Sequence, residues 1–170
     1  MQAAERAKVD AAQIFSLDIG HAANPTFAEL ERYYSTVIES TSLPVYISSH
    51  KAAGYFVPID LIEKLVKRYP TIAGVAYSGT DIGYIANLIA RVGDRVEVHS
   101  AGPGNALTVL GLGGNGFMGG EGNFCPQLFA SVISAWEQKD YERLRTDFRK
   151  LIEFTAISGK YGGEIGRAHV

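Results

Sequence analysis

The sequence predicts a parallel α/β fold, and three observations carry the prediction. Five short apolar segments of strand length alternate with segments whose apolar residues recur at helical spacing. The helical segments between strands are long enough to cross one face of a sheet and bring the chain back in the same direction. A length of 170 residues at 46% hydrophobic composition suits one ordinary domain with its own core. A doubly wound sheet and a (β/α) barrel both satisfy these observations, and five units are too few to close a barrel of eight.

Residues 2–8 read as the end of a helix, and AAQIFSL (11–17) as the first strand. After the loop DIGHAANP, Thr26 with Glu29 three positions on forms a capping box, and Leu30, Tyr33, Tyr34, Val37 and Ile38 share one helical face. That helix should run about 15 residues. LPVYISS (43–49) is the second strand, followed by a loop and a helix over Ile59–Arg68 that turns Leu61, Ile62, Leu65 and Val66 inward. TIAGVAY (71–77) is the third, and SGTD opens a helix with Ile82, Ile85, Leu88 and Ile89 facing the core. RVEVHS (95–100) is the fourth strand, closed by AGPGN, with a short helix at 107–110 behind it. GNGFMGG (114–120) is a glycine-edged fifth strand, and Pro126 opens a helix through Trp136. The last helix, 140–157, places Tyr141, Leu144, Phe148, Leu151, Ile152 and Phe154 at the spacing of an outer cover.

Several function classes are disfavoured by composition. A formal charge of −2, with no long Lys/Arg run, gives no field to attract phosphate backbones, so nucleic acid is not an expected partner. No apolar stretch nears the roughly 20 residues that span a bilayer, so no membrane partner is expected. One cysteine, Cys125, fits a reducing and so cytoplasmic setting; with no basic neighbour in sequence it reads as a small buried thiol. GLGGNGFMGG lacks the Lys and Ser/Thr of a phosphate-binding loop. Asp18, His21, His50 and His99 are the candidate metal ligands, but they are spread over separate loops without i, i+4 pairing, so no metal is expected.

The order of these units resembles the dihydrodipicolinate synthase and N-acetylneuraminate lyase family, aldolase barrels that use a lysine Schiff base on pyruvate or other 2-oxo acids. VDAAQIFSL with NPTFAELERYY is similar to the family's fourth strand and following helix, and LPVYISS with AAGYFVPIDLIEKL to the fifth unit. IAGVAYSGTD falls at the sixth strand, VEVHSAG at the seventh, and LGLGGNGFMGGEGNFCP at the eighth with its Gly-rich turn and Asn-x-x-Pro, Asn123 to Pro126. The resemblance covers about residues 8–155 and implies an incomplete TIM (β/α)8 barrel: strands 4 to 8, flanking helices and a C-terminal helix. Nothing resembles the first three strands, so the chain is expected to be a carboxy-terminal portion. IGRAHV (165–170) matches the translation of a common sequencing adapter. Residues 1–157 are thus expected to form the partial barrel, and 158–170 a disordered tail that is partly a sequencing artefact.

Carried over by position, the resemblance assigns the Schiff-base lysine to Ala76, which has no amine; Gly74 and Val75 match the residues before it. Lys64 and Lys67 lie on the preceding helix and should face water. The fourth-strand proton-relay tyrosine has no secure counterpart among Ile19, His21 and Ala22; His21 is a weak catalytic candidate and more ordinarily a loop hydrogen-bonder. Ser48 and Ser49 replace a Tyr-Asn pair and are substrate-binding candidates, although both could simply satisfy the turn. Ser78 is another such candidate and equally a helix cap, while Tyr77, next to Ala76, should point at the helices. Ala101 or Gly102 stands at a seventh-strand substrate contact, and Met118 and Gly119 at eighth-strand ones. The resemblance implies no cofactor, a 2-oxo acid as small-molecule partner, and a homo-oligomer, dimer or tetramer, in the full-length form. The leading expectation is a lyase of this family that is inactive as written. A non-catalytic small-acid-binding sensor or subunit is the alternative, and an enzyme using His21 or a metal the third.

Overall fold

The computed structural model describes residues 1–20, 24–50 and 54–160. Helix α1 (Gln2–Arg6) leads into β1 (Ala12–Ile14), and the chain then alternates through α2 (Phe27–Glu39), β2 (Val45–His50), α3 (Ile59–Arg68), β3 (Ile72–Ser78), α4 (Ile82–Val92) and β4 (Glu97–Ala101). A 3₁₀ turn (Pro103–Asn105) and α5 (Ala106–Gly111) precede β5 (Gly116–Met118). A second 3₁₀ turn (Gly120–Asn123), α6 (Pro126–Glu137) and α7 (Tyr141–Lys160) complete it.

Among the described residues the strands form one sheet in the order β1-β2-β3-β4-β5, with every neighbouring pair parallel. Consecutive order removes the doubly wound alternative, whose strand order reverses at a switch point. It is the order of a barrel wall, and five strands make part of one.

The register sorts side chains by face, because alternate residues of a strand point to opposite sides. Ile14, Ile47, Val75 and Val98 align across the sheet and are all buried, as are Ser49, Tyr77, Ser100 and Phe117 in a second row. This face packs on the helices. α3 sends Leu61, Ile62 and Leu65 into it, each at 0–1% exposure and each adding about 1.5–3 kcal/mol. The opposite, concave face carries Gln13, Tyr46, Gly74 and Glu97 in one row and Ser48, Ala76, His99 and Gly116 in the next. A second apolar cluster, with Phe117, Val132, Leu144 and Leu151, ties α6 and α7 to the end of the sheet.

The helix starts follow their local chemistry. Thr26 and Glu29 form the expected capping box on α2. Asp81, not Ser78, caps α4: its carboxylate accepts the Tyr84 amide at 3.0 Å.

Other expectations need correction. β1 is three residues and not seven, because side chains satisfy the backbone beyond Ile14. The Ser16 hydroxyl donates to the Ser48 carbonyl at 3.0 Å and accepts the His50 amide at 3.1 Å, while Tyr33 and Tyr55 donate to the carbonyls of Phe15 and Leu17. β5 is likewise trimmed to its middle three residues. Ile82, expected inward, is 57% exposed at the first position of α4. Tyr141 is also exposed, and α7 buries Leu144 and Leu151 fully but Phe148, Ile152 and Phe154 only in part. α7 continues to Lys160, so 158–160 extend the helix and are not a tail. Residues 161–170, with the suspected artefact, lie outside the described residues. No helix among the described residues is long and apolar enough to cross a membrane.

Candidate functional site

At the C-terminal ends of the strands the concave face opens into a cup of about 470 Å³. Every strand contributes: Gln13 and Phe15 from β1 and its exit, Ser48 and His50 from β2, Ala76 and Ser78 from β3, Ala101 and Gly102 at the end of β4, and Met118 to Glu121 at the end of β5. A larger groove, about 560 Å³, lies between the β1–α2 loop and α2, lined by residues such as Leu17, Ile19 and Arg32. The cup is the candidate site, because residues from five strand ends converge there and parallel α/β folds place chemistry at that end.

Of the nine residues singled out for a site, seven meet in the cup: Ala76, Ser48, Ser78, Ala101, Gly102, Met118 and Gly119. Ala76 is fully buried and pairs in register with Ser48 on one side and His99 on the other, so its methyl is part of the concave face. Gly102 has φ +82, a left-handed conformation that suits glycine, and its amide donates to the Met118 carbonyl, pinning the ends of β4 and β5 together.

Ser49 is not in the cup. Its position in the strand sends it to the helix face, where its hydroxyl accepts the Val57 amide at 3.0 Å and lies 3.0 Å from the Tyr84 hydroxyl. Because Tyr84 donates its own proton to the Val57 carbonyl at 2.6 Å, Ser49 is the donor of that pair. Ser49 therefore fixes the loop, the ordinary use foreseen for it. Tyr77 lies on the same face, stacked on Tyr84 at 4.7 Å, as expected. His21 and Ala22 lie outside the described residues; Ile19 is near the larger groove.

The candidate metal ligands are dispersed. Asp18 accepts the Gly20 amide in its own turn, His50 lines the cup, and His99 sits one row deeper. No group of three or more His, Cys, Asp or Glu that could hold a metal occurs among the described residues. Lys64 pairs with Glu31 and Lys67 with Glu63, both on the outer helix surface. No lysine lines the cup among the described residues, and Lys51, directly after β2, lies outside them.

Sequence reasoning missed five cup residues: Gln13, Phe15, Gly120 and Glu121 altogether, and His50 as anything but a metal ligand. Strand parity from Ser48 would have found His50. It also missed a polar cluster beneath the cup. The Tyr46 hydroxyl donates to Glu97 Oε2 at 2.5 Å, and His99 Nε2 lies 3.0 Å from the same oxygen. Gly74, between them in register, makes this possible, since a Cβ there would lie 2.4 Å from the Tyr46 ring. Hydrogen bonds from Tyr46 and then His99 hold the Glu97 carboxyl below its usual range, and the same carboxylate pushes the Tyr46 hydroxyl up to about 12. Burial, reinforced by the Glu121 charge, pushes the Cys125 thiol up, which suits an unreactive cysteine.

Parallel strands in consecutive order, with a cup built from all their C-terminal ends, define a protein of the (β/α)8-barrel class, represented here by part of the wall. The model of the dihydrodipicolinate synthetase family matches residues 21–161, and the chain belongs to that family. It is 31% identical over 134 residues to a 4-hydroxy-tetrahydrodipicolinate synthase of Thermodesulfovibrio yellowstonii, covering 75% of this chain and 44% of that protein. An uncharacterised DapA-like lyase of Thermococcus kodakarensis is 29% identical over 131 residues, covering 75% of this chain and 45% of that one. Among solved structures, a prophage protein of the family from E. coli K12, in complex with pyruvate, superimposes with a TM-score of 0.83 at 22% identity, over 93% of this chain and 53% of the other. The dihydrodipicolinate synthase of Aquifex aeolicus gives 0.83 at 20% identity, over 91% of this chain and 52% of its own. At these identities the structural likeness speaks for the fold. The chain spans about half the length of the relatives it matches.

Proposed function

We propose that this is the strand 4–8 portion of a lyase-type barrel whose cup receives a small 2-oxo acid, and that the chain as written forms no Schiff base with it. The observation that carries the second half is Ala76: on the concave face, at the position the family resemblance gives to the lysine, there is a methyl group. A carbonyl carbon bound above it meets no amine from any described residue, so none of them supplies the covalent route to carbon–carbon cleavage. What remains suits binding. Gln13, Ser48, His50 and Ser78 offer donors to a carboxylate or carbonyl oxygen, and Ala101, Gly102 and Gly119 leave the backbone open beside them. The pyruvate held by the E. coli relative agrees in kind with such a ligand.

In the complete barrel, the first three strands supply the rest of the cup and cover both open sheet edges, and the assembly is a cytoplasmic homo-oligomer, a dimer or tetramer. Borohydride reduction in the presence of pyruvate tests the chemistry. The intact mass should stay unchanged while calorimetry registers weak pyruvate binding. A reduced pyruvyl adduct contradicts the reading, and peptide mapping would identify the lysine, Lys51 included.

A further inference from the structure

We propose that the strand closing the barrel beside β5 brings a lysine or arginine to the floor of the concave face, where Glu97 and His99 hold out acceptors that no described donor meets. This rests on the reading of the chain as strands 4–8 of a complete barrel, and it goes beyond that reading by stating a side chain that one of the remaining strands must carry inward.

The inside of a closed barrel is stacked in layers, each built from alternate strands and filled mostly with bulky apolar side chains. Tyr46 of β2 and Glu97 of β4 belong to one such layer. They flank Gly74 of β3 in register, and the Tyr46 hydroxyl crosses over that glycine to donate to Glu97 Oε2. By alternation, the first and third strands of the barrel complete the layer, and the first adjoins Glu97 on the side away from Tyr46. β5, the strand between them, contributes only Gly116 to the row of His99, so its side chains leave that approach open.

The layer holds acceptors without donors to match. Glu97 Oε2 accepts from Tyr46 and from His99 Nε2, and Glu97 Oε1 accepts nothing among the described residues. Those two bonds hold the carboxyl below its usual range, so it is ionised at neutral pH and can only accept. His99 Nε2 therefore carries the hydrogen of its pair, and Nδ1 of the neutral ring is a bare lone pair. That atom is buried with no hydrogen-bond partner, on the side of Gly116. The only ion-pair contact of Glu97 among the described residues is with His99.

In the open sheet 50% of the Glu97 side chain is exposed, and solvent can satisfy what the protein does not. Closing the barrel removes that solvent. An ionised carboxylate in such an interior is strongly unfavourable without a counter-charge. A neutral donor would fill one lone pair and leave the charge, whereas a lysine or arginine cancels the charge and has N–H groups for both vacant acceptors.

The test reads the gene of the complete protein and then measures its melting temperature. Its first strand should encode a Lys or Arg at an inward-facing position level with Glu97. In the complete protein Glu97→Gln then leaves a buried cation unpaired and should lower the melting temperature by roughly 10 °C. In the present chain, with the concave face open, the same substitution should shift it far less. Replacing the cation by Met in the Glu97→Gln background should recover most of the loss, and should restore folding if the single variant does not fold. Only neutral side chains at the inward positions of the first strand, an equal loss in both proteins, or no recovery in the double variant overturns the proposal and leaves the barrel reading standing. A gene with no βα units ahead of β1 removes the barrel reading and this proposal together.

Discussion

At the scale of single residues, what the concave face lacks is as informative as what it holds. Gly74 and Ala76 occupy adjacent rows of that face, and each small side chain has a consequence: the first gives Tyr46 room to reach Glu97, and the second puts a methyl group in a cup that no lysine among the described residues lines. Gly74→Ala should destabilise the fold by about 1–3 kcal/mol, the usual result of overpacking, because the new methyl meets both the Tyr46 ring and the Glu97 carbonyl. Urea denaturation measures this, and a variant as stable as the wild type would remove the steric account. The sequence exposed Ala76 because the flanking Gly74 and Val75 fit a pattern. Glu121 stayed hidden because it lies past the end of β5 in a 3₁₀ turn, where neither strand nor helix periodicity indicates which way a side chain points.

The elements were legible where a local interaction specifies them. Thr26 and Glu29 announce the start of α2, and the structure contains both hydrogen bonds of the capping box. Thr26→Ala should cost about 1 kcal/mol, the ordinary value of an N-cap. Asp81→Ala should cost a similar amount through α4, whereas Ser78→Ala should leave that helix unaffected, since Ser78 caps nothing. Thermal melts of the three variants separate these outcomes; equal losses for Ser78→Ala and Asp81→Ala would contradict the assignment. Strand ends were less legible, because β1 stops where the Ser16, Tyr33 and Tyr55 hydroxyls replace ladder bonds, and each of those hydrogen bonds joins residues remote in sequence. Ile82 misled for another reason: helical spacing continues to the first position of α4, but no layer covers the side chain there.

For the whole molecule, periodicity made the order of units legible but left two architectures open, since it cannot distinguish consecutive from reversed strand order, and it was the resemblance of the ordered units to a known family that pointed to the barrel. The sheet topology makes that choice, and with it the location of the cup. The pH range of stability is also a property of the whole. Hydrogen bonds hold the carboxyls of Glu97, Glu29, Glu63 and Asp147 below their ordinary values, so the unfolded chain binds protons more readily than the folded one. Their contribution is complete above the ordinary carboxylate range near 4 and is lost as pH falls through the folded values. At the other extreme Tyr84, by burial, and Tyr46, by its bond to Glu97, are pushed up to about 12. Their contribution is complete below the ordinary tyrosine value near 10 and is lost as pH rises through the folded one. Melting temperatures across pH should therefore form a plateau between these ranges that falls on both sides, and an acid limb unaltered by Glu97→Gln would exclude that carboxylate from it. The central claim is that residue 76 stands where the amine would act. Borohydride trapping with pyruvate, run on the wild type and Ala76→Lys, should give no adduct with the first and a reduced pyruvyl group at position 76 with the second. An adduct on the wild-type chain would contradict the account.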